Sequence, residues 1–172
     1  MFRKAKWSDL DIVTAIYNAI HDREEVGLST VGWVRNIYPT QATAEQAIRD
    51  GDMFVLEHNG TVVAAARINQ IQVEEYKKAS WSFDAEDNKV MVLHTLAVHP
   101  KAAHCGLGAR FVAFYEEYAA QMGCPCLRMD TNVRNTAARA LYKKMGYTEA
   151  SVIPCTFNGI EGVELVCLEK RL

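Results

Sequence analysis

Val90-Met91-Val92-Leu93-His94-Thr95-Leu96-Ala97-Val98-His99-Pro100 leads into Gly106-Leu107-Gly108, and the fold turns on this stretch. The nearly continuous apolar run from Val90 to Val98 predicts a strand buried on both faces, and Pro100 ends its pairing. Two glycines then form a tight turn into a helix whose apolar face carries Leu107, Phe111, Phe114, Tyr115, Tyr118 and Met122, with Gly123 as the stop. A strand, a glycine turn and a helix N-terminus together set backbone N–H groups at the positive end of a helix dipole, which suits a phosphate or pyrophosphate. Neither a Walker lysine nor the remainder of a GxGxxG fingerprint follows, so ATP and NAD are poor fits.

Outward from this centre, Met53–Leu56 and Val62–Ile68 flank Asn59-Gly60, a pair that favours a two-residue hairpin turn. Further strands are expected over Cys126–Asp130, Tyr147–Ile153 and Val163–Lys170, and a helix over Asn135–Met145 closed by Gly146. Near the N-terminus, Ser8 is placed to cap a helix carrying Leu10, Val13, Ile16, Tyr17 and Ile20, and Thr43 with Gln46 reads as a capping box for a short helix ended by Gly51. Residues 23–42 carry no clear period. Asn69–Lys89, with Tyr76, Trp81 and Phe83, is a long connection of the kind that covers sites. An antiparallel hairpin followed by alternating strands and helices predicts an α/β protein with a mixed central sheet.

At 172 residues, one domain spanning 1–172 is expected, large enough to build its own core. A net charge of -2 and pI near 6.2 lack the basic excess of a nucleic-acid binder. The longest clean apolar run, Val62–Ala66, falls far short of a membrane span, and residues 1–7 lead into no signal-peptide core. Five cysteines (Cys105, Cys124, Cys126, Cys155, Cys167) without CxxC spacing read as reduced thiols, consistent with a cytoplasmic protein. Cys124-Pro125-Cys126 reads as a loop entering a strand. His94, His99, His104 and Cys105 lack zinc-finger spacing, so no metal is expected.

Leu96-Ala97-Val98-His99-Pro100, Gly106-Leu107-Gly108-Ala109 and Asn135-Thr136-Ala137-Ala138-Arg139-Ala140-Leu141-Tyr142-Lys143-Lys144-Met145-Gly146-Tyr147 together resemble the paired signatures of the GNAT family of N-acetyltransferases. The match is close over residues 90–147. The resemblance implies a mostly antiparallel sheet flanked by helices, with a splayed central strand pair, and acetyl-CoA as cosubstrate. It further implies that the backbone of Leu96, Ala97 and Val98 binds the pantetheine arm as an added strand would, and that backbone N–H groups across His104, Cys105, Gly106, Leu107, Gly108 and Ala109 hold the pyrophosphate. Family members usually carry Arg or Gln three residues before the first glycine; Ala103 stands there, which puts more of the anion binding on the backbone.

Asn135, Ala138 and Tyr142 recur at helical spacing and can face the cofactor together. The resemblance gives Tyr142 the role of protonating the departing thiolate; its alternative is an aromatic packing residue. Leu93–His99 is similar to the matching strand of arylalkylamine acetyltransferases, which makes His94 the leading proton acceptor, with a bonded core histidine as the alternative. His21, Glu24 and Glu25 are further candidates. Cys105 and Cys155 have no recognisable activating partner for an acetyl-cysteine route. The expected function is direct acetyl transfer to a primary amine, on a small molecule or a peptide, in a ternary complex. A noncatalytic acetyl-CoA sensor or interaction module is the competing reading, and a homodimer is an expectation of the resemblance alone.

Overall fold

Asn59 and Gly60 take φ angles of 50° and 74° in the computed structural model, which describes residues 1–103 and 105–172. That turn joins β2 (Met53–His58) to β3 (Thr61–Asn69). The other strands are β1 (Phe2–Lys4), β4 (Val90–Val98), β5 (Cys126–Asn132), β6 (Thr148–Phe157) and β7 (Ile160–Arg171). They form one sheet in the order β1-β2-β3-β4-β5-β7-β6. Among the described residues β4–β5 is the parallel pair, and every other pairing is antiparallel, so the sheet is mixed and mostly antiparallel.

Among the described residues four α-helices flank it: α1 (Leu10–Glu25), α2 (Gln41–Arg49), α3 (Leu107–Gln121) and α4 (Thr136–Lys144). One face buries Phe54, Leu56, Ala64, Ala66, Met91, Leu93, Leu127 and Met129 under Leu107, Phe111, Val112 and Tyr115 of α3 and Tyr142 of α4. The opposite face divides. Its first half packs Val55, Val62, Ala65 and Ala97 against Val13, Ile16, Tyr17 and Ile20 of α1 and Ala44, Ala47 and Ile48 of α2. Its second half, Val90, Val92, Cys126, Leu165 and Cys167, lies under Tyr76, Trp81 and Phe83 of the long connection. That segment thus does for β4–β7 what α1 and α2 do for β2 and β3.

Polar pins hold the segment down. The Arg128 guanidinium donates to the Phe83 carbonyl at 2.9 Å and stacks over the Trp81 ring at 4.2 Å, while the buried Glu169 carboxylate accepts from the Ser82 and Phe83 amides. Trp81 Nε1 donates to the Tyr76 carbonyl at 2.9 Å.

Three local expectations are corrected. Ser8 caps nothing: Trp7–Asp9 form a 3-10 turn, and α1 starts after Asp9, whose carboxylate is drawn back to Arg3 and to the Lys6 amide, each at 2.7 Å. The second capping box is Thr40 with Thr43, so α2 begins at Gln41 rather than near Thr43. The strands expected over Tyr147–Ile153 and Val163–Lys170 extend toward each other as β6 and β7; Asn158 and Gly159 (φ 51° and 79°) make a second two-residue hairpin turn, and Pro154 is tolerated because β6 is a sheet edge. No described helix is long and apolar enough to cross a membrane.

Candidate active site

The β4–β5 register runs from Val90↔Cys126 to Leu93↔Met129 and then stops. Beyond it β4 stays with β3 (Ala65↔Ala97, Ala64↔Val98) while β5 stays with β7 as far as Asn132↔Leu165, so the two strands diverge and open a cleft. Thr95 sits at the divergence with φ 54°, opposite a register shift between Ala65 and Arg67. This bulge reverses side-chain parity. Met91 and Leu93 face α3 before it, and Leu96 and Val98 face that side after it. His94, next to Leu93 and paired with Arg67, lies on the opposite face, whereas without the bulge it would share the side of Leu96 and Val98.

On the α3 side the cleft is a groove of about 480 Å³. Leu96, Val98, Gly106, Leu107, Gly108, Ala109, Asn135, Ala138 and Tyr142 of the expected cofactor set line it. Gly106, at φ 70°, is the N-cap of α3, so the first-turn amides after it have no intrahelical acceptor and are free for an anion. A Cβ on Gly108 would stand 3.2 Å from Leu141 Cδ2, so glycine lets α3 and α4 approach. Two members of the set differ. Ala97 buries its methyl on the α1–α2 side and does not line the groove, and Cys105 is exposed outside the lining. His104 lies outside the described residues. Ala103 borders the groove, as does Arg23 of α1.

Across the bulge lies a second cavity of about 260 Å³, lined by Tyr17, Trp33, Tyr38, Arg67, Asn69, His94, Asp130 and Phe157 among others. Leu96, Asn135, Tyr142, Val31 and Trp33 line both spaces, so the two meet there. The wall at residues 31–33 is built by Glu24, whose carboxylate accepts from the Val31 and Gly32 amides at 3.0 and 2.9 Å and pairs with Arg134. Gly32 has φ 82°, and any Cβ would fall 2.4 Å from Asn132 Nδ2. Tyr38 and Thr95 share a hydroxyl–hydroxyl hydrogen bond that ties this wall to the bulge.

Tyr142 stands at the junction. Burial first, and then the Asp130 charge, hold its phenol above the ordinary tyrosine range, so it keeps its proton and can donate it. Asn135 caps α4 by accepting from the Ala138 amide at 3.3 Å and donates to Thr131 Oγ1 at 3.1 Å. His94 lines the second cavity with Nε2 3.0 Å from Asn69 Oδ1. Asn69 Oδ1 can only accept, so Nε2 carries the hydrogen and Nδ1 is left as the basic nitrogen. Burial, aided by the Arg67 charge, pushes His94 down to about 4. His21 bonds the Pro39 carbonyl, Glu24 holds backbone and Glu25 pairs with Arg35; all three lie outside the cavity lining.

Sequence reasoning missed Asp130. Its carboxylate accepts from the Tyr76 hydroxyl at 2.7 Å, and burial raises it to about 6. Tyr17, also missed, has a buried hydroxyl with no partner among the described residues.

The family model described as Acetyltransferase (GNAT) family matches residues 14–147. The uncharacterized N-acetyltransferase YhfO of Bacillus subtilis (strain 168) is 38% identical over 61 residues, which span 36% of this chain and 41% of that protein. A GNAT-family acetyltransferase structure from Streptococcus agalactiae 2603 superposes with a TM-score of 0.83 at 20% identity, covering 100% of this chain and 95% of that one. The yncA structure from Salmonella typhimurium, described with its cofactor acetyl-CoA, gives 0.72 at 19% identity over 100% and 93% of the two chains. At these identities the structural likeness is one of fold.

Proposed function

Because the chain belongs to the GNAT family of acetyltransferases, we propose that it moves an acetyl group from acetyl-CoA to a primary amine by direct attack in a ternary complex. One observation carries this reading: two cavities on opposite sides of the β4 bulge meet at Tyr142, one a groove with a helix N-terminus and the other a polar pocket of small-molecule size. The groove fits acetyl-CoA, since its wall combines an open strand edge after Leu93 with the free first-turn amides of α3. Bound there, acetyl-CoA supplies a thioester carbon as the electrophile.

The rest is the work of this chain's own residues. Leu96 and Val98 offer backbone along the groove, and the amides after Gly106 meet the phosphates. The Tyr142 hydroxyl, protonated across the working pH range, donates its proton to the leaving sulfur. His94 is uncharged above about pH 4, so Nδ1 can take a proton from the attacking amine and pass it on rather than hold it.

The test is acetyl-CoA consumption across a panel of amines, with mass measurement of the product. Tyr142→Phe is expected to lower turnover by about 10²-fold or more while leaving the acetyl-CoA dissociation constant within about twofold. Equal turnover of the two proteins would remove the acid role. Cofactor binding without transfer to any amine would favour a binding module instead.

A further inference from the structure

Asp130 is a half-buried carboxylate that faces the second cavity with little protein to satisfy it. An ionised carboxylate has about four acceptor sites, yet among the described residues one donor, the Tyr76 hydroxyl, serves it. The groups that act on its charge are burial, Tyr76 and Glu75, and no cation is among them. A carboxylate in such a place is costly unless a cation is delivered to it. It lines the second cavity together with aromatic walls from Tyr17, Trp33, Tyr38 and Phe157, whose ring faces also favour a cation. Independently, Tyr17 lines the same cavity, and its hydroxyl is buried with no partner among the described residues. Arg67 reaches the cavity too, but its guanidinium is engaged by Asp50 and Asp52 at 2.6 and 3.1 Å.

We propose that this cavity is a two-point site for a small monocationic amine, its ammonium held by Asp130 and a second polar group, an oxygen, held by the Tyr17 hydroxyl. The proposal rests on the acetyl-transfer reading only in naming the bound amine as the acceptor. Several other groups face Asp130: Tyr76 and Glu75 from the long connection, Tyr38 from the wall before α2, Tyr142 from α4, Cys155 from β6 and Cys167 opposite it on β7. The four tyrosine and cysteine environments of Tyr38, Tyr142, Cys155 and Cys167 keep those groups neutral through pH 8, since burial raises each of them. Across the cavity His94 is uncharged above about 4. Glu75 does not line the cavity, so Asp130 is the acidic side chain among its described lining residues, and it is anionic above about pH 6.

The experiment uses full-length protein saturated with CoA, so that binding is read without turnover, and three probes of matched size: n-pentylammonium, 1-pentanol and 4-amino-1-butanol. Binding by NMR titration at pH 7.5 is expected to favour n-pentylammonium over 1-pentanol by at least about tenfold, the scale of a charge-assisted hydrogen bond. That preference should fade in the wild type as pH drops below about 6, and disappear in Asp130→Asn at any pH. Tyr17→Phe should leave n-pentylammonium binding unchanged while removing the added affinity of 4-amino-1-butanol. The site is overturned if the wild type shows no ammonium preference, if Asp130→Asn retains it, or if Tyr17→Phe weakens both amines equally. Acetyl transfer to the amine panel, measured separately with acetyl-CoA in place of CoA, separates the two readings. An ammonium preference with no acetyl transfer would sink the transferase reading and leave the site. Transfer without that preference would do the reverse.

Discussion

Asp130 and His94 face one cavity and are displaced in opposite directions, up to about 6 and down to about 4. Burial drives both, because a low-dielectric site disfavours whichever form is charged. The signs for stability follow. A carboxyl raised from ~3.9 contributes stability below that value and loses it as pH rises through about 6. A histidine lowered from ~6.5 contributes stability above that value and loses it as pH falls through about 4. Each displacement corresponds to about 3 kcal/mol, so the two nearly cancel between these limits. Asp130→Asn keeps an acceptor for Tyr76 but removes the half-buried charge, and it should therefore raise unfolding free energy at pH 7.5 by about 2–3 kcal/mol, with the gain gone by pH 4. Urea denaturation at both pH values checks this, and equal stability at pH 7.5 would show that the carboxylate is not strained. Asp130 was illegible for a physical reason. Cys126, Arg128 and Asp130 alternate along β5, and polar residues at period two read as a solvent-facing side. What covers that side, Tyr76 and Trp81, arrives from about fifty residues earlier in the chain.

The element that does the covering joins fold to site. Arg128 stacks on Trp81, Trp81 donates to the Tyr76 carbonyl, and Tyr76 donates to Asp130, so the pin and the pocket belong to one line of contacts. Arg128→Ala should release the segment and cost about 3 kcal/mol, the sum of a cation–π contact and charge-assisted hydrogen bonds. Hydrogen exchange should rise at the amides of residues 76–83, while the acetyl-CoA dissociation constant is unmoved because the groove lies on the other face of the sheet. Protection unchanged at Ser82 and Phe83 would mean that Glu169 alone holds the segment. Turn chemistry was the more legible part at this scale. Asn59-Gly60 stood between two clear strands and was read. Asn158-Gly159 carries the same signal, but Pro154 and Cys155 interrupted the strand pattern beside it, and the hairpin whose Phe157 and Asn158 line the cavity went unread.

Across the whole molecule, a net charge of -2 excluded a broad basic surface but not a local anion site. The groove reconciles the two, since what it offers an anion is the free amides at the start of α3 and, among its described lining residues, one cation, Arg23. Binding that depends on dipoles rather than on lysines and arginines should respond weakly to salt. Ala103 offers a direct check, because it borders the groove at the position where the family resemblance leads one to expect Arg or Gln. Ala103→Arg should tighten acetyl-CoA binding by about tenfold at low salt, the equivalent of one charge-assisted contact to a phosphate. The gain should shrink toward the wild-type affinity as ionic strength rises to 0.5 M, where the screening length falls to about 4 Å. Calorimetric titration of both proteins at the two salt concentrations measures this. If the variant binds no tighter than the wild type at low salt, the phosphates do not pass residue 103 and the path assigned to the cofactor along α3 is wrong. A gain that persists at high salt would instead assign the effect to packing of the arginine stem.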